Sequence, residues 1–266
     1  MPHNKRETPM AEALVTLELR GRVAWIGLNR PAKRNAINDA LLAALDAAVG
    51  EAQGQARAMV VFGHGPCFCA GLDLSEHGAR SAEAVFHHSR SWHAVFRRIR
   101  SGRIPAIAAI HGACVGGGLE LASACHIRVA DPSAIFALPE GTRGIFVGGG
   151  ASVHLARILG AARMTDMMLT GRALDAAAAE RAGLVTYLTE PGGAVDQAGV
   201  LAAKVAQMAP LTVLGVLQAL PRIQDMAEED GLFVESMMAA LAQTGPEAQA
   251  GLAAFLEKRA AKAGES

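Results

Sequence analysis

The clearest indication of the fold lies in residues 104–131, IPAIAAIHGACVGGGLELASACHIRVAD. Its apolar run 106–110 follows a proline and predicts a short buried strand, while residues 119–124 predict a short helix after three glycines. The run 126–130 predicts a second strand. A strand, a glycine loop, a helix and a further strand in direct succession indicate a layered α/β core with crossover connections.

One residue of this segment does not fit a purely structural role. Glu120 is the only acidic residue between Gly112 and Cys125, and its neighbours are small or apolar. A carboxylate that is buried without a partner destabilises a protein, so a leucine or an alanine would be expected here. Either backbone N–H groups at the start of the helix satisfy this carboxylate, or the site needs an acid with an unusual pKa.

Strand and helix signals alternate along most of the chain. Further strands are predicted at 13–19, 22–28, 58–62, 134–138 and 183–188. Further helices are predicted at 38–50, 82–100, 150–160, 162–169 and 175–181. The last part of the chain shows only helical signals, at 194–208, 211–224, 229–242 and 246–262. We therefore expect a core over residues 1–195 and a helical C-terminal region over residues 196–266.

Composition narrows the classes of function. The chain has 266 residues, of which 51% are hydrophobic, and its 25 basic residues balance its 25 acidic residues. This balance disfavours the recruitment of nucleic acid or of an anionic membrane surface. No uncharged apolar run reaches about 18 residues, so we expect no membrane span. The polar start MPHNKRETPM lacks the apolar segment of a signal peptide, which predicts a cytoplasmic protein.

The cysteines do not have the spacing of a metal site. Cys67 and Cys69 are too close in sequence for an ordinary disulfide, and neither Cys114 nor Cys125 completes a zinc-type pattern. Free cysteines of this kind usually behave as small buried hydrophobic residues in a reducing compartment. We therefore expect four buried thiols and no bound metal.

Glycine-rich loops follow two of the predicted strands. The first, FCAGLDL (68–74), comes after strand 58–62, and the second, HGACVGGGLE (111–120), comes after strand 106–110. Unpaired N–H groups from two such loops can converge on one oxygen and stabilise its developing negative charge, as an oxyanion hole. Tight turns that need a positive φ are the alternative explanation of the same glycines.

Six motifs in one order resemble the crotonase (enoyl-CoA hydratase/isomerase) superfamily. They are LNRPAKRNAIN (28–38), FCAGLDL (68–74), the segment 104–131, FALPEGTRGIFVGGG (136–150), MTDMMLTGRALDAAAAERAGLV (164–185) and FLEKRAAK (255–262). The resemblance covers nearly the whole chain. It implies an α/β fold, the crotonase-like spiral of ββα units with a helical C-terminal region, and a homotrimer or a dimer of trimers.

The resemblance also implies which groups react. Glu120 and Glu140 match the two acids that face each other across the substrate double bond in hydratase members of the family. Two nearby carboxyls in an apolar pocket titrate as a coupled pair, so we expect Glu120 to activate water and Glu140 to protonate C2. The oxyanion-hole amides are expected at Ala70 and Gly117. Gly148 is expected to position the water or the second acid.

The loop that contains Gly148 departs from the family pattern. Relatives commonly have proline where this chain has Val147, and GGGAS replaces a GAGGT-like run. The departure concerns the shape of the acyl pocket more than the chemistry.

Coenzyme A is the expected thioester group of the substrate. The resemblance implies substrate-binding residues at Lys33, Arg34, Ala36, Gly71, Leu72, Asp73 and Lys258. The basic residues among them would meet the phosphates and the nucleotide, and the backbone at residues 70–72 would meet the adenine. Solvated surface cations are the alternative for the basic residues, and a cap of the next turn is the alternative for Asp73.

These residues together predict an enoyl-CoA hydratase that adds water to a trans-2-enoyl-CoA without a metal or redox cofactor. Enoyl-CoA isomerase, which needs only one acid, and acyl-CoA hydrolases or lyases of the same superfamily are the enzymatic alternatives. A CoA-ester-binding or RNA-binding protein with this fold is the alternative of a different class. The retained acid pair and the neutral charge balance argue against that alternative.

Overall fold

The computed structural model describes residues 13–76, 80–246, 248–251, 253 and 256. Within these residues the chain forms nine strands, which are β1 (Val15–Arg20), β2 (Val23–Leu28), β3 (Ala58–Gly63), β4 (Ala106–Ile110), β5 (Ala113–Val115), β6 (Ile127–Ala130), β7 (Ile135–Ala137), β8 (Leu174–Asp175) and β9 (Tyr187–Leu188). The α-helices are α1 (Asp39–Gln55), α2 (Ala82–Arg100), α3 (Gly117–Ala124), α4 (Ala151–Leu159), α5 (Ala161–Thr170), α6 (Ala176–Arg181), α7 (Ala194–Val205), α8 (Pro210–Leu214), α9 (Leu220–Ile223) and α10 (Glu228–Thr244). A π-helical segment, Gly215–Ala219, joins α8 to α9.

The strands form two sheets. The larger sheet has the order β1-β2-β3-β4-β6-β9 and is parallel except for the antiparallel pair of β1 and β2. The smaller sheet has the order β5-β7-β8, with β5 and β7 parallel. The consecutive strands β4 and β5 lie in different sheets, as do β6 and β7, and α3 follows the first of these pairs. This alternation confirms the expected spiral of ββα units.

Burial on both faces explains why the central strands are continuous apolar runs. Every residue of β4 is buried, as expected for a parallel strand that is covered on two sides. Along β3, Met59 and Val61 belong to the core that contains the buried faces of α1 and α2. Val60, which points the other way, packs in a second core with the alanines of α7.

The packing of α7 corrects the predicted boundary at residue 195. This helix begins at Ala194, and Ala198, Ala202 and the following Ala206 are buried against the larger sheet. An alanine-rich helix face has the same sequence pattern whether it meets a sheet or another helix, so the pattern alone assigned α7 to the C-terminal region. The core therefore extends through Ala206, and the separate helical region comprises α8 to α10.

Several element boundaries also differ from the predictions. Helix α1 continues past Gly50 to Gln55, because Ala52 in its last turns is buried and this packing offsets the low helix propensity of glycine. The strands β5 and β8 were not predicted, because β5 lies between Gly112 and Gly116 and β8 directly precedes α6, so neither is part of a longer apolar segment. The predicted final helix 246–262 lies partly outside the described residues, and Lys258 lies outside them altogether.

The C-terminal helices leave apolar side chains on the surface. Helix α10 exposes Leu232, Phe233, Met237 and Leu241. In the described part of the chain no single helix is long and apolar enough to cross a membrane. The bent pair formed by residues 194–205 and 210–223 meets the length and composition criteria only when the two helices are taken together.

Candidate active site

Glu120 lies in the first turn of α3, and a second helix start holds its carboxylate. All residues of α3 are buried. Glu120 Oε1 accepts hydrogen bonds from the backbone N–H groups of Gly149, at 2.7 Å, and Ala151, at 3.1 Å, where α4 begins. Burial raises the pKa of the Glu120 carboxyl, and these N–H groups oppose the rise because they favour the charged form. The Glu120 carboxylate thus has backbone hydrogen-bond donors and, at the same time, a raised pKa.

Glu140 is the second buried carboxyl, and it is less well satisfied. It precedes the 3₁₀ turn Gly141–Arg143, is 8% exposed, and its Oε2 atom has no hydrogen-bond partner among the described residues. Burial raises the pKa of Glu140 to about 6; the charge of Glu120 adds to the rise and Arg143 opposes it. Glu140 therefore keeps its proton to a higher pH than an ordinary glutamate does.

Gly116 allows the two acids to approach each other. Its φ is 54°, in the left-handed region that favours glycine. A Cβ atom at this position would lie 2.6 Å from Glu140 Oε1. The Glu140 carboxyl therefore packs directly against the backbone that leads into α3, one turn before Glu120.

The predicted oxyanion-hole amide at Ala70 is wrong. The Ala70 N–H group donates to the Arg34 carbonyl at 3.0 Å, so it joins two loops and is not available to a ligand. Leu72, two residues further on, has no hydrogen-bond acceptor for its N–H group among the described residues. The motif identified the correct loop. Which amide of this loop stays unpaired depends on how the loop pairs with residues 34–37, which are distant in sequence.

The Leu72 and Gly117 amides lie side by side. A Cβ atom built on Gly117 would be 3.5 Å from Leu72 N, and one built on Gly71 would be 3.3 Å from Gly117 N. Gly117 is the first residue of α3, so its N–H group has no acceptor within the helix. Gly71 has φ 99° and places the Leu72 peptide close to the start of α3. Two N–H groups that have no acceptor among the described residues thus come from two separate loops.

Both acids and both of these residues border one cavity of about 450 Å³. Most of its remaining wall is apolar, and the Trp92 ring packs against Gly117. Gly148 also lines the cavity, and its carbonyl accepts a hydrogen bond from Ser89 Oγ at 2.6 Å. The site can therefore polarise a carbonyl group and exchange protons with a ligand in largely apolar surroundings.

A second cavity, of about 340 Å³, shares Leu72 and Leu74 with the first and is basic. The residues that line it include Lys33, Arg34 and Ala36, three of the residues predicted to bind substrate. Arg143 also lines it and was not predicted; it follows Glu140 by three residues, and a lone arginine in a loop gives no sequence signal. Gly71 does not line it, and its carbonyl accepts the N–H group of Ile37.

Asp73, one of the residues predicted to bind substrate, has a carboxylate that is already bonded within the protein. Asp73 borders the second cavity, but it is buried, and its carboxylate forms an ion pair with Arg30 at 3.0 Å and accepts hydrogen bonds from Ser75. The Ser75 hydroxyl, with help from Arg30, lowers the pKa of Asp73. Because the Asp73 carboxylate is negatively charged and already paired, it would not attract a phosphate group. The alternative expectation, a cap of the following turn, describes what the structure shows.

Asn35 is a positioning residue that the sequence analysis missed. It has φ 56°, and its buried side-chain amide donates to the carbonyls of His64 and Cys67, both at 2.9 Å. These bonds connect the loop of Lys33 and Arg34 to the loop of Leu72. A left-handed backbone is more common for asparagine than for most residues, which is the only signal the sequence contains.

The four cysteines are free and buried, as expected. Burial raises the pKa of Cys69 to about 12, so its thiol stays protonated at neutral pH. In the ranges that the structure describes, no group of three or more His, Cys, Asp or Glu side chains is arranged to hold a metal ion.

Known proteins are similar to this chain over most of its length. The sequence profile of the enoyl-CoA hydratase/isomerase family matches residues 18–265. The 2,3-dehydroadipyl-CoA hydratase of Escherichia coli (strain K12) is 35% identical over 255 residues, which are 94% of this chain and 97% of that protein. A Rhodopseudomonas palustris CGA009 structure, provisionally named an enoyl-CoA hydratase, superposes with a TM-score of 0.91 at 53% identity, covering 94% of this chain and 96% of that one. The Mycobacterium smegmatis enoyl-CoA hydratase structure has a TM-score of 0.88 at 29% identity, covering 93% and 97%. The chain therefore belongs to the enoyl-CoA hydratase/isomerase family, within the crotonase superfamily.

Proposed function

We propose that this enzyme adds water across the 2,3 double bond of a trans-2-enoyl-CoA thioester. One observation carries the proposal: two buried carboxyls border the same cavity as two amides. Among the residues that the structure describes, backbone N–H groups satisfy one of these carboxyls, while Oε2 of the other and both amides have no partner. Membership of the family implies hydratase or isomerase chemistry on an acyl-CoA. The second acid favours hydration, since moving a double bond requires only one proton-transferring group.

The amides of Leu72 and Gly117 act on the thioester carbonyl. Both donate to its oxygen, which draws electron density from the conjugated double bond and makes C3 electrophilic. Each preorganised donor of this kind is worth about 10²–10³-fold in rate. The apolar wall strengthens the effect because few water molecules compete for the same oxygen.

Glu120 and Glu140 divide the proton transfers. Glu120 takes a proton from water as the water oxygen forms a bond to C3, the π electrons move to C2, and C2 takes the proton of Glu140. After the addition Glu120 carries a proton and Glu140 has lost one. Proton exchange between the two acids, or with solvent, then restores the starting state. The product is a 3-hydroxyacyl-CoA. No electrons pass to a carrier, so this reaction needs no redox cofactor, and the proposed steps use only the two acids and the two amides.

Hydrogen bonding supports this division of roles. The N–H groups of Gly149 and Ala151 stabilise the charged form of Glu120, which suits a base. Glu140 has an unpaired oxygen and a pKa raised to about 6, so it is the better proton donor of the two. The two residues titrate as a coupled pair, since the charge of Glu120 contributes to the rise in the pKa of Glu140.

Coenzyme A binds through its phosphates to the basic cavity. Lys33, Arg34 and Arg143 line this cavity, which shares Leu72 with the acid-lined cavity.

We expect Arg143→Gln to raise KM for crotonyl-CoA about tenfold, the value of one charge-assisted hydrogen bond of roughly 1.4 kcal/mol. The N-acetylcysteamine thioester of the same acyl group, which has no phosphate, should show no such rise. Arg172→Gln, which removes an exposed arginine paired with Asp166, is the matched control. An equal effect on both thioesters would contradict phosphate binding by Arg143.

Gly117→Ala tests the contribution of the α3 amide. The new Cβ atom would lie 2.6 Å from the Trp92 ring, so the start of α3 must shift. We expect kcat/KM for crotonyl-CoA to fall about 10²–10³-fold, the contribution of one oxyanion-hole donor. The double variant Gly117→Ala/Trp92→Phe removes the ring atoms that clash and should recover part of the activity. Gly54→Ala, at a helical glycine with open space around it, is the control. Full activity of Gly117→Ala would rule out the proposed role of this amide.

The experiment that tests the proposed function follows the enoyl-thioester absorbance of crotonyl-CoA after the protein is added. Loss of absorbance that stops at the hydration equilibrium, with 3-hydroxybutyryl-CoA as product, supports the proposal. The substrate panel also includes longer 2-enoyl-CoA esters and 2,3-dehydroadipyl-CoA, because one relative is named for that ester. Turnover of a 3-enoyl-CoA without hydration would identify an isomerase. Tight binding of CoA esters without turnover would indicate a different acyl-CoA reaction.

The enzyme assembles as a homotrimer or a dimer of trimers in this proposal. The exposed apolar side chains of α10 support self-association, since a contiguous apolar surface of this kind is unusual on a monomer. Light scattering of the purified protein distinguishes three subunits from six, and a monomer would contradict the proposal.

A further inference from the structure

A run of three glycines, residues 148–150, directly precedes α4 and contacts both Glu120 and helix α2. The run adopts no regular secondary structure. A Cβ atom built on Gly149 would lie 2.9 Å from Glu120 Oε2 and 2.9 Å from the Phe96 ring, so only glycine fits there. Because these residues have no side chains, the orientation of the backbone that holds Glu120 has to come from neighbouring groups.

Ser89 of α2 supplies one of these groups. Its Oγ atom donates to the Gly148 carbonyl oxygen at 2.6 Å. A carbonyl can only accept, so the hydroxyl proton is used in this bond and is not available to a ligand in the cavity that Ser89 borders. Burial and the positive charge of Arg90 lower the pKa of His93, which also approaches the Gly148 backbone, so a charged imidazolium does not take the place of Ser89 at neutral pH.

This bond differs from those of other hydroxyl residues in the helices of this chain. A helical serine or threonine commonly donates to a carbonyl in the preceding turn of its own helix. Ser91 of α2, Thr170 of α5 and Ser236 of α10 do so. Ser89 instead donates to a separate segment, and its bond therefore connects α2 to the glycine run.

The Gly148 carbonyl and the Gly149 N–H group belong to the same peptide unit. This N–H group donates to Glu120 Oε1 at 2.7 Å. Because a peptide is planar and conjugated, a hydrogen bond to its oxygen fixes its plane and makes its N–H group a stronger donor. The Ser89 hydroxyl, the peptide and the Glu120 carboxylate thus form one chain of hydrogen bonds.

We propose that Ser89 is a positioning residue whose hydroxyl holds this peptide so that the Gly149 N–H group points at Glu120. Burial raises the pKa of Glu120, and the backbone of residues 148–151 opposes that rise. Without the Ser89 bond, one of these opposing contributions would weaken and the pKa of Glu120 would rise further. The inference rests on the proposed function, in which Glu120 must be charged to take a proton from water.

Other titratable side chains surround the glycine run. Glu140 and His88 line the same cavity as Glu120. A further cavity that Gly149 borders is lined by the basic side chains of Arg90, His93, Arg97, Arg100 and His154. None of them is altered in a Ser89 variant, so a change in the titration of Glu120 in such a variant reports on the peptide.

The first test is the titration of Glu120 by carbon-13 NMR of protein labelled at its glutamate carboxyls, with the signal assigned from Glu120→Gln. In Ser89→Ala we expect the pKa of Glu120 to rise by about half a unit to one unit, the equivalent of one hydrogen bond. Ser89→Thr keeps a hydroxyl and should stay close to wild type. Ser91→Ala, at an exposed serine of the same helix, is the matched control. An unchanged pKa in Ser89→Ala would overturn the inference.

Turnover of crotonyl-CoA gives a second readout. Ser89→Ala should lower kcat about threefold to tenfold, with KM within about twofold of wild type. The proposed base must be deprotonated, so kcat/KM falls as the pH drops through the pKa of Glu120, and a higher pKa moves this acid limb to higher pH. Alanine is a better helix former than serine, so the thermal unfolding temperature should not fall.

A double variant separates positioning from a general structural effect. In a Glu120→Gln background, Ser89→Ala should not lower kcat further, because Ser89 acts through the charge of Glu120. An equal loss in both backgrounds would contradict the inference.

The two readouts also separate this inference from the proposed function. If crotonyl-CoA is hydrated but the titration of Glu120 is the same in wild type and Ser89→Ala, the hydratase proposal stands and the inference fails. If no enoyl-CoA ester is hydrated, the hydratase proposal fails, and the NMR titration alone decides whether Ser89 holds the peptide: a raised pKa supports this role and an unchanged pKa refutes it.

Discussion

Glu120→Gln is expected to lower kcat for crotonyl-CoA by roughly 10²–10⁴-fold, the usual contribution of a general base. Glutamine has nearly the same shape, and its side-chain oxygen can still accept the N–H groups of Gly149 and Ala151. The start of α4 should therefore keep its position. What the variant loses is the negative charge and the ability to take a proton from water.

Three measurements distinguish this loss from a general structural effect. Affinity for a saturated acyl-CoA should stay within a few-fold of wild type, and the thermal unfolding temperature should not fall. Glu180→Gln, at an exposed glutamate of α6, should keep full activity. Near-normal kcat in Glu120→Gln would show that this residue is not the base.

Glu140→Gln is expected to lower kcat by a similar factor, because the proton for C2 is no longer available. The pH dependence gives a sharper signature. The pKa of Glu140 is raised to about 6, and the proposed donor must be protonated, so kcat/KM should fall as the pH rises beyond that value. The residual activity of Glu140→Gln should lack this alkaline limb, since glutamine does not titrate. In Glu120→Gln the limb should move to lower pH, because the charge that raises the pKa of Glu140 is gone.

Stability provides a check that does not depend on turnover. A carboxyl whose pKa rises from 4.5 to about 6 on folding destabilises the protein once the pH exceeds 4.5, and the full loss of roughly 2 kcal/mol is reached above pH 6. Glu140→Gln should therefore raise the free energy of unfolding in urea at pH 8 and have little effect at pH 4. An equal change at both pH values, or none at pH 8, would show that Glu140 does not carry a raised pKa.

The fold was largely predictable because its signals are local. The buried run at β4, the glycines at the start of α3 and the amphipathic pattern of α2 are each contained in a short segment, and their order resembles one family. The two acids were predictable for the same reason, since Glu120 stands out in an apolar segment and Glu140 follows at the spacing of the family. The strands β5 and β8 were not, because neither lies in a longer apolar segment such as 134–138 or 183–188, where β7 and β9 were predicted.

The details of the site depend on contacts between residues that are far apart in sequence. The Ala70 N–H group is used by Arg34 and the Leu72 N–H group is left unpaired, which follows from the pairing of two loops and not from either motif. Likewise, the N–H groups that hold Glu120 belong to Gly149, just before α4, and to Ala151, its first residue, about thirty residues later. The local sequence pattern was therefore enough to identify the reacting residue types. The unpaired amide, the partners of each acid and the apolar wall of the cavity depend on residues that only the tertiary structure brings together.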